Sequence, residues 1–201
     1  MTEFIAHRVN KVNELQMLDM SNGVEIDLRD SIDGVHLSHD PFEKGESFEA
    51  YLKKYNHGTM ILNIKSERIE HDILRKIKGL PFNYFFLDSS FPMIKLLSEL
   101  GEENIAVRFS ELEGLDTIRN LAGRVNWIWV DCFTRFPLTP EIYKELKSLN
   151  YKICIVSPEL QAQPDKLEEY ADYMKRNHLV PDAICSKIKF KETWERYFSF
   201  D

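Results

Sequence analysis

The stretch Gly-Val-Glu-Ile-Asp-Leu at residues 23–28 is the most informative part of the chain about its fold. Its apolar residues alternate with two carboxylates, Glu25 and Asp27, over a length typical of a β-strand. Side chains two positions apart on a strand share a face, so the two carboxylates point the same way. The inward face of a barrel strand usually carries branched apolar residues. Two acidic residues in that place indicate a strand that contributes to a polar site as well as to a core.

Similar strands recur along the chain at a regular interval. Eight runs rich in Ile, Val and Phe are predicted as strands: residues 4–8, 23–28, 59–65, 84–88, 105–109, 125–131, 151–156 and 183–187. Four amphipathic stretches between them are predicted as helices: residues 48–55, 92–100, 139–149 and 166–177. The first and last strands begin 179 residues apart, or about 26 residues per unit, which is the size of a minimal βα repeat. We therefore predict an α/β fold, a compact (β/α)8 TIM barrel, with residues 1–201 as a single domain.

An open doubly wound sheet has the same local pattern and is the alternative fold. The barrel is favoured because polar residues fall at or near the C-terminal ends of different strands, and a barrel brings those ends to one mouth. These residues are His7, Asp27, Lys65, Asp88, Asp131 and Lys187. The chain has only eight glycines and lacks both Gly-x-Gly-x-x-Gly and Gly-x-x-x-x-Gly-Lys, which argues against a loop that cradles a nucleotide.

Composition and charge argue against several classes of protein. Lys and Arg number 26 against 33 for Asp and Glu, a net charge of −7, and no basic run occurs, so we expect no nucleic-acid partner. The longest apolar runs are far too short to span a bilayer, and the N-terminus does not read as a signal peptide. Cys132, Cys154 and Cys185 lie in apolar runs without metal-finger spacing. We predict that they are reduced core residues of a cytoplasmic protein.

The densest group of polar residues lies between positions 7 and 40. Burying Glu25 and Asp27 side by side is costly unless a cation neutralises them. A hard divalent ion, Mg²⁺ or Ca²⁺, suits carboxylate oxygens best. Asn63 and Lys65 on the third predicted strand repeat the two-residue spacing and add an amide oxygen and a cation. The alternative is that Glu25 and Asp27 face the helix layer and pair with arginines.

Two imidazoles accompany this group of residues. His7 and His39 can titrate near neutrality, so one can accept a proton while the other donates one. Arg8 and Lys65 can neutralise a phosphate and stabilise charge on its oxygens. With a metal ion these groups form a set that could cleave a phosphodiester. Further polar residues are candidate substrate contacts at the mouth, or else members of structural salt bridges: Asp88, Arg108, Asp131 and Lys187.

Three stretches follow one another in a recognisable order: I-A-H-R at 5–8, G-V-E-I-D-L at 23–28 and D-G-V-H-L-S-H-D at 33–40. They resemble the glycerophosphodiester phosphodiesterase family, within the wider group of phospholipase-C-like phosphodiesterase barrels. In that family a His-Arg pair is followed by Glu-x-Asp and then by Asp-Gly leading into His-Asp. Less specific similarities are S-F-E-A-Y-L at 47–52, L-N-I-K at 62–65 and P-D-A-I-C-S-K at 181–187. The resemblance is specific over about the first 65 residues and architectural beyond them.

The resemblance implies a role for each matching residue: acid–base catalysis for His7 and His39, phosphate binding for Arg8 and Lys65, and metal binding for Glu25 and Asp27. Asn63 stands where the family has a third acidic metal ligand, so we expect weaker metal binding through an amide oxygen. Val9 replaces the Gly that normally follows His-Arg, and the Pro-Glu-Asn-Thr segment of the first loop is missing. Residues 41–58 leave no room for the small insertion domain of many members, so we expect a more open mouth, or one completed by a partner chain.

We predict a metal-dependent phosphodiesterase that hydrolyses a small soluble phosphodiester, either a glycerophosphodiester or a sugar-alcohol phosphodiester. One alternative is a catalytically degenerate barrel that binds a phosphorylated ligand or a partner protein without turnover. Another is a lyase-type transfer to a neighbouring hydroxyl that leaves a cyclic phosphate. An isomerase or aldolase barrel using Lys65 or Lys187 comes last, because no motif supports it. The sequence is compatible with an oligomer.

Overall fold

The computed structural model describes residues 2–200 as one α/β domain. Within these residues, ten strands and eight α-helices are present. The strands are β1 (Glu3–Ala6), β2 (Gly23–Ser31), β3 (Gly34–Leu37), β4 (Glu46–Ser47), β5 (Met60–Ile64), β6 (Tyr84–Leu87), β7 (Ala106–Phe109), β8 (Trp127–Val130), β9 (Lys152–Val156) and β10 (Ala183–Ser186). The α-helices are α1 (Val12–Met17), α2 (Phe48–Leu52), α3 (Glu70–Ile77), α4 (Phe91–Glu99), α5 (Asp116–Asn120), α6 (Pro140–Ser148), α7 (Leu167–Arg176) and α8 (Lys191–Glu195). Short 3₁₀ helices cover Pro158–Gln161, Pro164–Lys166 and Ile188–Phe190.

Eight of the described strands are parallel and form a curled sheet in the order β6-β5-β2-β1-β10-β9-β8-β7. The two outer strands, β6 and β7, are joined by one isolated bridge between Phe86 and Ile105. The Phe86 N–H also donates to the Asn104 carbonyl at 2.8 Å. The sheet is thus curled into a partial barrel, and the carboxyl ends of its parallel strands lie at one end.

The eight predicted strands are confirmed, with boundaries that differ by at most three residues. The four predicted helices are confirmed as α2, α4, α6 and α7, and each begins within one residue of its predicted start.

The start of α6 follows from its sequence. Thr139 Oγ1 accepts a hydrogen bond from the Ile142 N–H at 3.3 Å, and Pro140 occupies the first turn, where its missing N–H costs nothing.

An antiparallel extension of the sheet was not among the predicted strands. The strand β2 continues past Leu28 to Ser31 and turns back into β3, with Arg29 opposite His36. Gly34, at φ +112°, allows the chain to reverse there. Residues 29–31 are all polar and at least partly exposed, so this part of the strand lacks the apolar pattern of the other strands.

Alternate residues of the strands face two cores. The outward residues pack against the helices, and the inward residues form a second buried cluster that includes Ile61, Phe85 and Trp127. Cys132, Cys154 and Cys185 are buried and unpaired, which confirms their prediction as core thiols. Toward the carboxyl ends of the strands the inward residues become polar. No helix among the described residues is both long and apolar enough to cross a membrane.

Candidate functional site

A cavity of about 230 Å³ opens at the carboxyl ends of the parallel strands. Eight of the eleven predicted site residues line it: His7, Arg8, Glu25, Asn63, Lys65, Asp88, Arg108 and Asp131. Three larger clefts, of about 590 to 750 Å³, contain none of the predicted site residues. Of the six polar residues predicted to converge at one mouth, His7, Lys65, Asp88 and Asp131 line this cavity.

The other three predicted residues lie around this cavity. Asp27 is fully buried beneath it, with Oδ1 3.6 Å from Lys65 Nζ. His39 stands beside it, with Nε2 2.5 Å from Arg8 Nη2. Lys187 is exposed and is not one of the lining residues, although its charge contributes to lowering the pKa of His7.

Glu25 is a buried carboxylate held by two N–H donors. Its Oε2 accepts from the Arg8 backbone N–H at 2.8 Å, and its Oε1 accepts from Asn63 Nδ2 at 2.7 Å. Burial, followed by the nearby charge of Asp27, raises the pKa of Glu25 to about 7. The alternative that these carboxylates face the helix layer is wrong, because Glu25 lines the cavity.

Asp27 is held by a residue that the sequence did not single out. Asn10 Nδ2 donates to Asp27 Oδ2 at 2.8 Å, and Asn10 Oδ1 accepts from the Asp27 backbone N–H at 2.8 Å. Arg8 Nε is 3.9 Å from Oδ2, so cations lie on two sides of this carboxylate. Asn10 lies in the loop after β1, where polar residues carry no periodic signal.

The two histidines have different surroundings. Burial, followed by the charges of Arg8, Lys187, Lys65 and His39, lowers the pKa of His7 to about 3, so its imidazole is neutral at pH 7. His39 Nδ1 is 2.9 Å from Asp40 Oδ1. Because a guanidinium can only donate, His39 Nε2 must accept from Arg8, which places the ring proton on Nδ1, facing Asp40.

Arg29 connects the two segments that carry His39 and Lys65. Its Nε and Nη2 donate to the His39 carbonyl at 3.1 and 2.9 Å, and its Nη1 donates to the Lys65 carbonyl at 2.9 Å. Arg29 lies two positions after Asp27 on β2, and this spacing in the sequence indicates that it shares a strand face with Glu25 and Asp27.

The far side of the cavity holds a network of charges. Arg108 donates to Asp88 Oδ1 through Nε at 2.8 Å and Nη2 at 2.6 Å, and through Nη1 to Asp131 Oδ2. Gln161 Nε2, from the 3₁₀ helix after β9, donates to Asp131 Oδ1 at 2.9 Å. Burial raises the pKa of Asp131 to about 6. Trp129 also lines this side, and neither it nor Gln161 was predicted there.

The oxygen atoms beneath the cavity fit a hard divalent cation. Asp27 Oδ1 and Asn63 Oδ1 are buried without hydrogen-bond partners, and Glu25 adds a second carboxylate beside them. Buried oxygens of this kind are the ligands that Mg²⁺ and Ca²⁺ prefer. Among the described residues no group of three acidic, His or Cys side chains is arranged for a metal, and a ligand set at this place would need the amide oxygen of Asn63 as its third member.

This curled parallel sheet, with charged residues at the carboxyl ends of its strands, is a fold found among phosphodiesterases. A glycerophosphodiester phosphodiesterase from Parabacteroides distasonis has a similar structure, with a TM-score of 0.68, 15% sequence identity and coverage of 97% of this chain and 95% of that one. A glycerophosphoryl diester phosphodiesterase from the same organism matches with a TM-score of 0.52, 11% identity and coverage of 100% and 92%. No protein-family model and no curated protein sequence matches the chain. At these identities the likeness shows the fold.

Proposed function

We propose that this protein is a metal-dependent phosphodiesterase of the glycerophosphodiester phosphodiesterase type, acting on a small soluble glycerophosphodiester or sugar-alcohol phosphodiester. The observation that carries the proposal is the convergence of His7, Arg8, Glu25 and Lys65 on one cavity at the carboxyl ends of the strands. The similar phosphodiesterase structures support it. We also infer that the curled sheet is a complete (β/α)8 barrel that closes at the bridge between β6 and β7.

Arg8 and Lys65 are the proposed phosphate-binding cations. The Arg8 guanidinium is about half exposed and reaches over the cavity to His39, so a phosphate oxygen can take the place of the imidazole as its acceptor. Lys65 lies at the floor between Asp27 and Asp88. Charge that develops on the phosphate oxygens is then stabilised from two directions.

His7 and His39 are the proposed acid–base pair. The buried neutral imidazole of His7 accepts a proton from the attacking water, whose oxygen forms the new bond to phosphorus. Once Arg8 turns to the phosphate, His39 Nε2 is free to carry a proton, and Asp40 stabilises the resulting imidazolium through Nδ1. His39 then protonates the leaving alcohol oxygen as its bond to phosphorus breaks.

Glu25, Asp27 and Asn63 are the proposed ligands of a divalent cation, Mg²⁺ or Ca²⁺. When bound there, the cation supplies positive charge next to the phosphate oxygens. With two carboxylates and an amide instead of three carboxylates, we expect a weaker affinity for the metal.

Asp88, Arg108 and Asp131 are proposed to contact the alcohol part of the substrate, because they line the side of the cavity opposite His7 and Arg8. Lys187 is proposed as a peripheral cation at the mouth. The absence of a nucleic-acid partner, the cytoplasmic location and a possible oligomer remain predictions from the sequence.

The test is hydrolysis of bis-(p-nitrophenyl) phosphate, whose nitrophenolate needs no general acid to leave, by the wild type and by His7→Ala, which lacks the proposed general base, each with Mg²⁺, with Ca²⁺ and with a chelator. We expect metal-dependent turnover that falls by about 10²- to 10⁴-fold in the variant, the usual loss when a general acid or base is removed. Equal turnover by the two proteins, or turnover unaffected by the chelator, would contradict the proposal.

A catalytically degenerate barrel that binds a phosphorylated ligand is the second candidate. It is favoured by Asn63 and by the two N–H donors that already occupy both oxygens of Glu25. Its signature is calorimetric binding of inorganic phosphate by a wild type that is inactive with every metal. A lyase-type transfer is the third candidate. It predicts turnover only of diesters with a hydroxyl next to the phosphate, whereas hydrolysis does not need one.

A further inference from the structure

We propose that the amino ends of the parallel strands form a second small-molecule site, and that its ligand is a free amino acid with a large apolar side chain. The site is a cavity of about 590 Å³ at the opposite end of the sheet from the proposed catalytic cavity. This inference goes beyond the proposed phosphodiesterase function and does not depend on it. It follows from two side chains of opposite charge, Glu3 and Lys152, which both line this cavity.

The cavity is lined by residues at the points where the parallel strands begin. Glu3, Trp127 and Lys152 are the first residues of β1, β8 and β9, and Thr59 and Asn83 directly precede β5 and β6. The residues two positions further along each of these strands belong to the inward-facing apolar cluster, so these five side chains share the inward face. Inward positions of a barrel are usually filled by branched apolar residues. A mostly polar layer at this end is a departure of the kind expected at functional sites.

Glu3 supplies a partly buried carboxylate. Among residues 2–200 it makes one hydrogen bond, in which Oε1 accepts from the Thr59 N–H at 2.5 Å, and no ion pair. The close approach needs a glycine, because a Cβ on Gly58 would collide with Oε1. A carboxylate that is partly removed from water without a cation is costly. An ammonium group from outside the chain would remove this cost.

Lys152 supplies the opposite charge. Its Nζ lies 5.3 Å from the centroid of the Trp127 ring, so the ammonium is directed over another residue of the cavity. Within the described part of the chain it forms no ion pair with a carboxylate. Asp182, the other carboxylate among the described lining residues, is already engaged by Lys147 Nζ at 2.9 Å and by the Ile153 N–H at 2.7 Å. Lys152 is therefore available to a carboxylate from outside the chain.

A ligand that carries both charges satisfies Glu3 and Lys152 at once. Only β10 separates β1 from β9, and neighbouring strands lie about 4.8 Å apart, so these two strands are about 10 Å apart. With charge-assisted hydrogen bonds of about 2.8 Å at each end, an α-amino acid spans most of this separation. The flexible stem of Lys152 can follow the ligand. A ligand with a single charge would leave one of the two residues without a partner.

Aromatic rings surround the rest of the cavity. His57, Phe82, Tyr84 and Trp127 line it, and Met20 adds a flexible apolar side chain. Both ring nitrogens of His57 are covered from solvent and have no hydrogen-bond partner within residues 2–200, so they can bond to a ligand. The volume lies in the range of roughly 300–1,000 Å³ found for small-molecule sites. These surroundings suit an amino acid with a large apolar side chain.

The test is isothermal titration calorimetry of the full chain with L-phenylalanine and with two analogues that each lack one charge, 2-phenylethylamine and 3-phenylpropanoate. We expect a Kd of about 1 mM or lower for L-phenylalanine. For both analogues we expect a Kd at least about 10-fold higher, because each loses a hydrogen bond between charged groups.

Two variants locate the binding site. Glu3→Gln keeps an oxygen that can accept from the Thr59 N–H, and Lys152→Met keeps the apolar stem of the side chain. We expect each variant to raise the Kd for L-phenylalanine about 10-fold or more. Lys144→Met is the matched control, because Lys144 is exposed on α6 and is not among the lining residues, and its Kd is expected to equal that of the wild type.

Three results would overturn the inference. They are no binding of L-phenylalanine at about 10 mM, analogues that bind as tightly as L-phenylalanine, and an unchanged Kd in either folded variant. Circular dichroism shows whether each variant is folded, and if Glu3→Gln is not, Lys152→Met and the analogues decide. Turnover of bis-(p-nitrophenyl) phosphate enters none of these outcomes, so the inference and the phosphodiesterase proposal fail separately.

Discussion

Replacing Lys65 by Met tests the balance of charges beneath the cavity. Lys65 Nζ lies 3.6 Å from Asp27 Oδ1 and 3.3 Å from Asp88 Oδ2, and Asp27 is fully buried. Met keeps the apolar stem and an approximately equal length but removes the ammonium group. The variant therefore leaves Asp27 with Arg8, at 3.9 Å, as its remaining cation.

The magnitude follows from the distance and the burial. At an effective dielectric constant of about 20, two unit charges separated by 3.6 Å attract each other by about 5 kcal/mol. The desolvation of Lys65 offsets part of this, and removal of one partner of a buried pair costs about 3–5 kcal/mol in general. Because the Lys65 side chain is 18% exposed, we expect the lower end, about 3 kcal/mol of unfolding free energy. For a chain of this size that lowers Tm by about 6–12 °C.

The assay is thermal denaturation followed by circular dichroism, first in a chelator and then in Mg²⁺. In Mg²⁺ we expect the variant to recover more stability than the wild type gains, because a bound cation compensates the buried charge of Asp27 that has lost Lys65 as its partner. At 100 times Kd a ligand stabilises by about 2.7 kcal/mol. The control is Lys95→Met, since Lys95 pairs with Glu99 on the exposed surface of α4 and contributes less than about 1 kcal/mol.

Two results would refute this account of the charges. One is a Tm for Lys65→Met within about 2 °C of that of Lys95→Met in the chelator, well under the shift expected for a buried pair. The other is an equal gain in Tm for the wild type and Lys65→Met on adding Mg²⁺.

Other expected outcomes test separate parts of the site. Burial raises the pKa of Asp131 from 3.8 to about 6, so the folded protein holds this proton more tightly than the unfolded chain does. The contribution of Asp131 to the free energy of unfolding is therefore largest below pH 3.8 and is lost as the pH rises to 6. Denaturant titrations should therefore show the stability of the wild type relative to Asp131→Asn falling by about 3 kcal/mol between pH 4 and 7, and a constant difference contradicts this. Arg29→Gln loses the hydrogen bonds to the carbonyls of His39 and Lys65. We therefore expect kcat for bis-(p-nitrophenyl) phosphate to drop about 10- to 100-fold with little change in KM. A kcat within twofold of that of the wild type would argue against a positioning role for Arg29. Burial raises the pKa of all three cysteine thiols, so a thiol reagent should label none in the native protein and all three in urea, and labelling of the native protein would be evidence against their burial.

The positions of the parallel strands along the chain could be predicted from the sequence because these strands are buried on both faces. Runs such as Met60–Ile64 and Trp127–Val130 are almost wholly apolar, and each is followed by an amphipathic helix. The hairpin β2–β3 was missed since Arg29 to Ser31 are polar on both faces. Pairing between β6 and β7 depends on Phe86 and Ile105, which belong to different runs, and local periodicity carries no information about such a contact.

The site was predictable where two-residue spacing on one strand revealed a shared face, as for Glu25 with Asp27 and Asn63 with Lys65. Residues that enter from loops were not. Asn10 and Gln161 reach the site through turns after β1 and β9, where no periodicity shows the direction of a side chain. The pairing of Arg108 with two carboxylates also depends on the curvature of the sheet, which cannot be predicted from the residues near Arg108 in the sequence.

The most direct test of the proposed activity is ³¹P NMR of glycerophosphoinositol incubated with the wild type and with His39→Ala, each in Mg²⁺ and in a chelator. We expect the diester resonance to be replaced by that of a phosphomonoester only for the wild type in Mg²⁺. An unchanged diester resonance with folded wild type in both Mg²⁺ and Ca²⁺ would contradict the proposal of a metal-dependent phosphodiesterase.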